Sequence, residues 1–258
     1  MSICLFANCK KCGIGNGFAT GELSNDEYSV LTCKNGHKVK YFFFKSTYPI
    51  YFDHGLDAYS EGNYFEAFVS IYHAWEQFLF TFVKTMILVS TNQSYESVEE
   101  FTKPISKNST QIEGAFNAIY ANHFGKKAPQ LNSKQKNLRN SIIHGKRNPE
   151  KADVESCAIA VYDFIKFTEI RMFTGKTGSE FPTTLLDVYD DRRIFYLKDV
   201  GLLTDEDLES GDSYLVNDGS HILGRSPATS DAQFAMKVLT FDEFVKERQS
   251  IKKLQDLF

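Results

Sequence analysis

Between residues 64 and 89 the apolar side chains Phe65, Phe68, Val69, Tyr72, Trp75, Leu79, Phe82, Val83 and Met86 recur at intervals of three and four, the spacing of a helix face. So many of them are aromatic that the helix is expected to be buried on more than one side. The same rhythm in shorter stretches predicts helices over residues 53–60, 112–123, 133–143 and 149–173, the first broken at Glu61-Gly62-Asn63 and the last begun by Pro149. In the last of these, Ala158, Val161, Phe164, Ile165 and Phe167 are the apolar positions. Together they suggest a bundle of four to five helices over residues 50–174.

On either side the periodicity changes. Residues 28–32 and 39–44 read as strands, and Pro49 separates the second from the bundle. Beyond Gly175, residues 193–200 and 213–216 read as short strands and Asn217-Asp218-Gly219 as a turn. A last helix opens at Thr240-Phe241-Asp242-Glu243, a capping box, with Leu239 and Phe244 placed as a hydrophobic staple and Phe241, Phe244, Val245, Ile251 and Leu254 as its apolar stripe. The expected architecture is mainly α: the bundle, a small N-terminal β module over residues 1–45, and a small α+β C-terminal region over residues 177–258.

Cysteine usage gives the N-terminal module a chemistry. Cys9-x-x-Cys12 and Cys33-x-x-x-His37 form two short knuckles joined by a Gly-rich turn and a strand, the spacing that presents four soft or borderline donors to one tetrahedral ion. Cys4 is a spare thiol that competes with His37 for the fourth place or packs as a small hydrophobe. The module resembles a zinc ribbon or treble-clef finger, which implies a structural Zn2+ that holds some forty residues with little core of their own. Reduced, metal-binding cysteines point to a reducing compartment, and the protein is expected to be cytoplasmic. Lys10 and Lys11 are followed by polar, Gly-rich sequence, so no secretory signal is expected. The most apolar run, residues 78–89, is interrupted by Lys84 and is too short to span a bilayer, so no membrane partner is expected.

The formal net charge of −4 conceals an asymmetry. Residues 124–151 hold eight bases (Lys126, Lys127, Lys134, Lys136, Arg139, Lys146, Arg147, Lys151) against Glu150 alone, whereas residues 177–258 hold nine bases against sixteen acids. A basic surface over 124–151 suits a polyanion, with Lys134, Lys136, Lys146 and Arg147 as candidate contacts.

Within that segment lies Arg139-Asn140-Ser141-Ile142-Ile143-His144-Gly145, a cation, an amide and an imidazole at the end of a predicted helix that Gly145 stops. Arg139 and His144 lie about 140° apart around an ideal helix, so convergence on one atom needs unwinding near Gly145, a long-armed Arg139 or a second copy of the site. R-N-x-x-x-H, followed by Gly and a Pro-initiated amphipathic helix, resembles the R-x(4–6)-H signature of the HEPN family, and the upstream helix carrying Trp75-Glu76 is similar to that family's first core helix. The resemblance covers roughly residues 50–173.

What it implies is a metal-independent endoribonuclease in which a 2′-hydroxyl attacks the adjacent phosphorus, leaving a 2′,3′-cyclic phosphate and a 5′-hydroxyl. An imidazole titrates near neutral pH and can move the proton at His144. Arg139 would stabilise the added phosphorane charge, and Asn140 would orient the imidazole or contact phosphate. His73 and Glu76, three apart on the long helix, are supporting candidates, Glu76 as a partner for Arg139. Acid and base are both needed, and a homodimer with a composite site would supply two histidines. No catalytic metal is implied. By the same resemblance the chain looks like a toxin or abortive-infection effector of anti-phage defence, awaiting a regulatory or phage-derived protein trigger. The alternatives are a non-catalytic RNA- or nucleotide-binding module and a protein-interaction module.

Overall fold

The computed structural model describes residues 3–13, 17–24, 26–43, 47–172, 185–216 and 240–256. In chain order the described residues form strands β1 (Cys4–Asn8), β2 (Phe18–Glu22), β3 (Ser29–Cys33) and β4 (Lys38–Phe43), then helices α1 (Tyr48–Ser60), α2 (Tyr64–Thr91), α3 (Tyr95–Thr102), α4 (Ser109–Phe124), α5 (Ser133–Ile143) and α6 (Lys151–Arg171). They continue with α7 (Leu185–Asp199), α8 (Asp205–Ser210), β5 (Ser213–Val216) and α9 (Phe241–Asp256). The protein is mainly helical with a small N-terminal sheet. It divides into two compact units: residues 1–45 with 190–218 and 251–258, and residues 46–189 with 219–250.

The larger unit is organised by α2, about 42 Å long, with α1, α6 and α4 packed along it. Asn63 starts α2 by accepting the Glu66 backbone N–H. Phe52, Phe68, Phe78, Phe82, Phe116 and Tyr120 are almost wholly removed from water, each contributing roughly 1.5–3 kcal/mol of transfer free energy. Their rings interlock edge to face, Phe82 on Phe116 at 4.8 Å and Phe78 on Phe164 at 6.3 Å. Gly55 lets α1 approach closely: a Cβ there would lie 2.5 Å from Ile71 Cγ1.

Pro49 does not separate strand from bundle. It sits in the first turn of α1, where its missing N–H has no helical partner to lose, so α1 begins earlier than the expected residue 53. The α3 helix was not expected at all. Its residues are mostly polar, but Tyr95, Val98 and Thr102 recur on one face and are buried, and the Ser94 hydroxyl caps it. At α9 the capping box is present, with the Thr240 backbone N–H donated to Glu243 Oε2 at 2.8 Å. Phe241 and Phe244 are buried, and the Phe244 ring meets Phe52 and Tyr162. The staple residue Leu239, the turn at 217–219 and the side chains of Ile251 and Leu254 lie outside the described part.

In the smaller unit the strands run β1-β2-β3-β4-β5, the first four antiparallel and β5 parallel to β4. β3 alternates strictly, with Ser29, Leu31 and Cys33 inside and Val30 and Thr32 outside. Residues 193–200 are not a strand. Residues 193–199 form the second half of α7, because Ile194 and Leu197 fall three apart and pack with Phe42 and Leu203. The C-terminal stretch 177–258 is thus shared between the units, and α8 and β5 complete the smaller one. No helix among the described residues is long and apolar enough to cross a membrane.

Candidate functional site: a Cys3His cluster and an arginine–glutamate–histidine cluster

The first knuckle is a 3-10 turn over Lys10–Cys12. It is closed by the Cys12 N–H on Cys9 O at 3.0 Å and continued by Gly13 at φ +84°. The second turns at Gly36, φ +79°, with its N–H on Cys33 O at 2.9 Å. These turns bring Cys9, Cys12, Cys33 and His37 together, with all four ligand atoms within 4.8 Å of one another. Cys12 Sγ lies 3.6 Å from Cys33 Sγ and 3.4 Å from His37 Nδ1, and Cys9 Sγ lies 3.6 Å from His37 Nδ1. A tetrahedral zinc site spaces its sulfurs about 3.8 Å apart and sulfur from nitrogen about 3.6 Å. Cys9 and Cys33 are buried, and Gly17 is required behind the knuckle, since a Cβ would come 2.9 Å from Cys12 Cβ. Burial pushes the Cys33 thiol up, but the backbone N–H groups of Asn35 and His37 and the neighbouring thiols outweigh it and bring it down to about 6. The Cys12 thiol is raised, mainly by burial. His37 fills the fourth position, and the Cys4 side chain lies outside the described part.

In the larger unit, α5 is capped by Asn132, whose side chain accepts the Lys134 N–H, and buries Gln135, Leu138 and Ile142. It ends as a Schellman motif, with Gly145 N–H on Ile142 O and Lys146 N–H on Ser141 O, both 2.9 Å, and Gly145 at φ +66°. His144 is the C-cap of α5 and is exposed. Arg139, half-buried, turns the other way. Its Nη2 donates to Glu76 Oε1 at 3.4 Å, its Nη1 to Asn140 Oδ1 at 3.3 Å, and its guanidinium lies 5.7 Å from the Tyr72 ring centroid.

Glu76 is the hub of this cluster. Ser109 Oγ donates to Oε1 at 2.7 Å, and His73 Nδ1 lies 3.5 Å from Oε2. Burial pushes the carboxyl up, yet the His73 and Ser109 hydrogen bonds and the Arg139 charge hold it below the ordinary value. His73 is fixed further by the edge of Tyr51, ring centroids 4.5 Å apart, and by Gln77 Nε2 at 3.2 Å from its Nε2.

No family model, curated protein or solved structure matches this chain.

The basic segment changes character in three dimensions. Lys136 is paired with Glu113, Arg139 with Glu76, Arg147 with Asp153 and Lys151 with Glu155. Glu76 and Glu113 come from α2 and α4 and are invisible in a window around α5. Lys126, Lys127, Lys134 and Lys146 are exposed, with no ion pair among the described residues. Of the four candidate polyanion contacts, then, Lys134 and Lys146 have free ammonium groups, while Lys136 and Arg147 are already engaged. His54 belongs to no motif of the sequence. It pairs with Glu66 across the α1–α2 turn, Nε2 to Oε1 at 3.0 Å, and no spacing rule flags an i,i+12 contact through a helical hairpin.

Proposed function

We propose that the protein is a metal-independent endoribonuclease of the HEPN type whose active residues are Arg139, Asn140 and His144, and that Cys9, Cys12, Cys33 and His37 hold a structural Zn2+. The observation that carries the enzymatic reading is the fixing of one guanidinium by a carboxylate and an amide near the end of α5, five residues before an exposed imidazole. Arginine held in place presents its remaining N–H donors without reorganising, which is how charge developing on a phosphorane is best stabilised. His144 takes the 2′-hydroxyl proton as the new P–O bond forms. The leaving 5′-oxygen needs a proton in return, and a homodimer bringing two copies of His144 together is one source of it. Exposed Lys134 and Lys146 flank α5 at its two ends and suit the phosphates of a single strand.

The zinc reading is supported by the donor set and its spacing. Four protein ligands leave no open position for a substrate, so the ion's role is to hold the sheet together. The test is cleavage of single-stranded RNA by the full chain. Arg139→Ala and His144→Ala should each lower the rate by about a hundredfold or more while melting at the wild-type temperature within a few degrees. Activity retained in both variants would end the proposal.

A further inference from the structure

Arg139 faces Glu76, and through Glu76 it is tied to a second imidazole in the same chain. Glu76 Oε1 takes the Arg139 guanidinium while Oε2 takes His73 Nδ1. A single carboxylate therefore sets the separation of the cation and the ring. His73 is half-exposed rather than sealed in the core. Every group facing it acts on its orientation: Glu76 and Gln77 from α2 and the Tyr51 ring from α1, with Ser109 from α4 and Arg139 from α5 acting through Glu76. Gln77 can turn its amide to present oxygen or nitrogen to His73 Nε2, so both protonation states of that nitrogen find a partner. Such a partner suits a ring nitrogen that gains and loses a proton.

We infer that His73 is the second proton-transfer residue of the proposed reaction, the acid that delivers a proton from Nε2 to the departing 5′-oxygen. It rests on the endoribonuclease reading of Arg139 and His144. The step balances: a His144 removes the 2′-hydroxyl proton, O2′ bonds to phosphorus, the P–O5′ bond breaks, and O5′ takes the proton held by His73. Protons later re-equilibrate through water, and no redox partner is involved. A protonated His73 has the ionised Glu76 as its ion-pair partner, which suits the donor's role better than the exposed His144.

A leaving group that needs no proton separates this role from a structural one. The full chain is assayed on a mixed-sequence oligoribonucleotide and on the same oligomer with a bridging sulfur in place of one 5′-oxygen, because a thiolate departs unprotonated. His73→Gln should slow the oxygen substrate by about a hundredfold or more and leave the sulfur substrate near the wild-type rate, which also shows that the variant is folded. His144→Gln should slow both alike. Wild-type cleavage of the oxygen substrate by His73→Gln, or equal loss on both substrates, overturns the inference and leaves the endoribonuclease reading standing. If the wild-type chain cleaves neither substrate, the endoribonuclease reading falls and takes this one with it.

Discussion

The Cys3His cluster and the basic segment around α5 are both made from residues close in sequence, yet only the first keeps in space the meaning it has along the chain. Ligands three and four residues apart on tight turns can hardly point elsewhere, so Cys9-x-x-Cys12 and Cys33-x-x-x-His37 close on one point. Charge behaves differently. Among the described residues, eight bases against one acid become four engaged cations and four without an ion pair once α2, α4 and α6 supply Glu76, Glu113, Asp153 and Glu155. Ligand geometry is set locally, while net field is set by whatever packs alongside.

The contrast breaks most sharply at the metal. Cys9→Ser or Cys33→Ser in the full chain should unfold the smaller unit and lower metal content from about one zinc per chain, since such sites supply about 10–16 kcal/mol of apparent binding free energy to their fold. The helical signal of the bundle should persist. Metal analysis with circular dichroism reads both, and unchanged metal content would refute the ligand set.

A smaller effect is expected from charge reversal. Lys134→Glu with Lys146→Glu should weaken RNA binding and flatten its salt dependence by about two phosphate contacts. Lys136→Glu should act mainly on stability, by leaving Glu113 beside a like charge. Equal loss of RNA affinity in the two cases, measured by titration at several salt concentrations, would mean that the ion pairs do not partition the patch.

Glu76 sharpens the same point through pH. Its carboxyl is held below its ordinary value in the fold, so the unfolded chain binds a proton more readily than the native one and stability rises with pH through the carboxylate range. That stabilisation is present above the unfolded pKa and is lost as pH falls through the folded one. Glu76→Gln should remove this acid sensitivity in a series of thermal melts; an unchanged slope would show that the carboxylate does not bear the Arg139 charge. The smallest change is Asn108→Ala, which removes the cap whose Oδ1 accepts the Thr110 and Gln111 N–H groups and should cost about 1 kcal/mol, read by denaturant unfolding.

Legibility follows the same division. Helices α2, α4, α5 and α6 and strands β3 and β4 are visible because their burial has a clear period. Residues 193–200 misled because Ile194-Phe195-Tyr196-Leu197 is apolar enough for either geometry, and only packing of Ile194 and Leu197 with Phe42 selects the helix. β1 has no β-branched residue, β2 has only Thr20 and is interrupted by Gly21, and α3 is mostly polar, so none of the three announces itself. At the site, Arg139, Asn140 and His144 could be named from their motif and Glu76 proposed as the arginine's partner. His73 is placed beside Glu76 by its i,i+3 spacing on α2, whereas the Ser109 contact depends on α4 packing against α2, which no spacing encodes.

The most direct measurement is end-group analysis of RNA incubated with the zinc-loaded chain in buffer free of Mg2+ and Mn2+. We expect 2′,3′-cyclic phosphate and 5′-hydroxyl ends from the wild type, and none above background from Arg139→Ala. Intact RNA, products ending in 5′-phosphate, or equal cleavage by the Arg139→Ala chain would contradict the account.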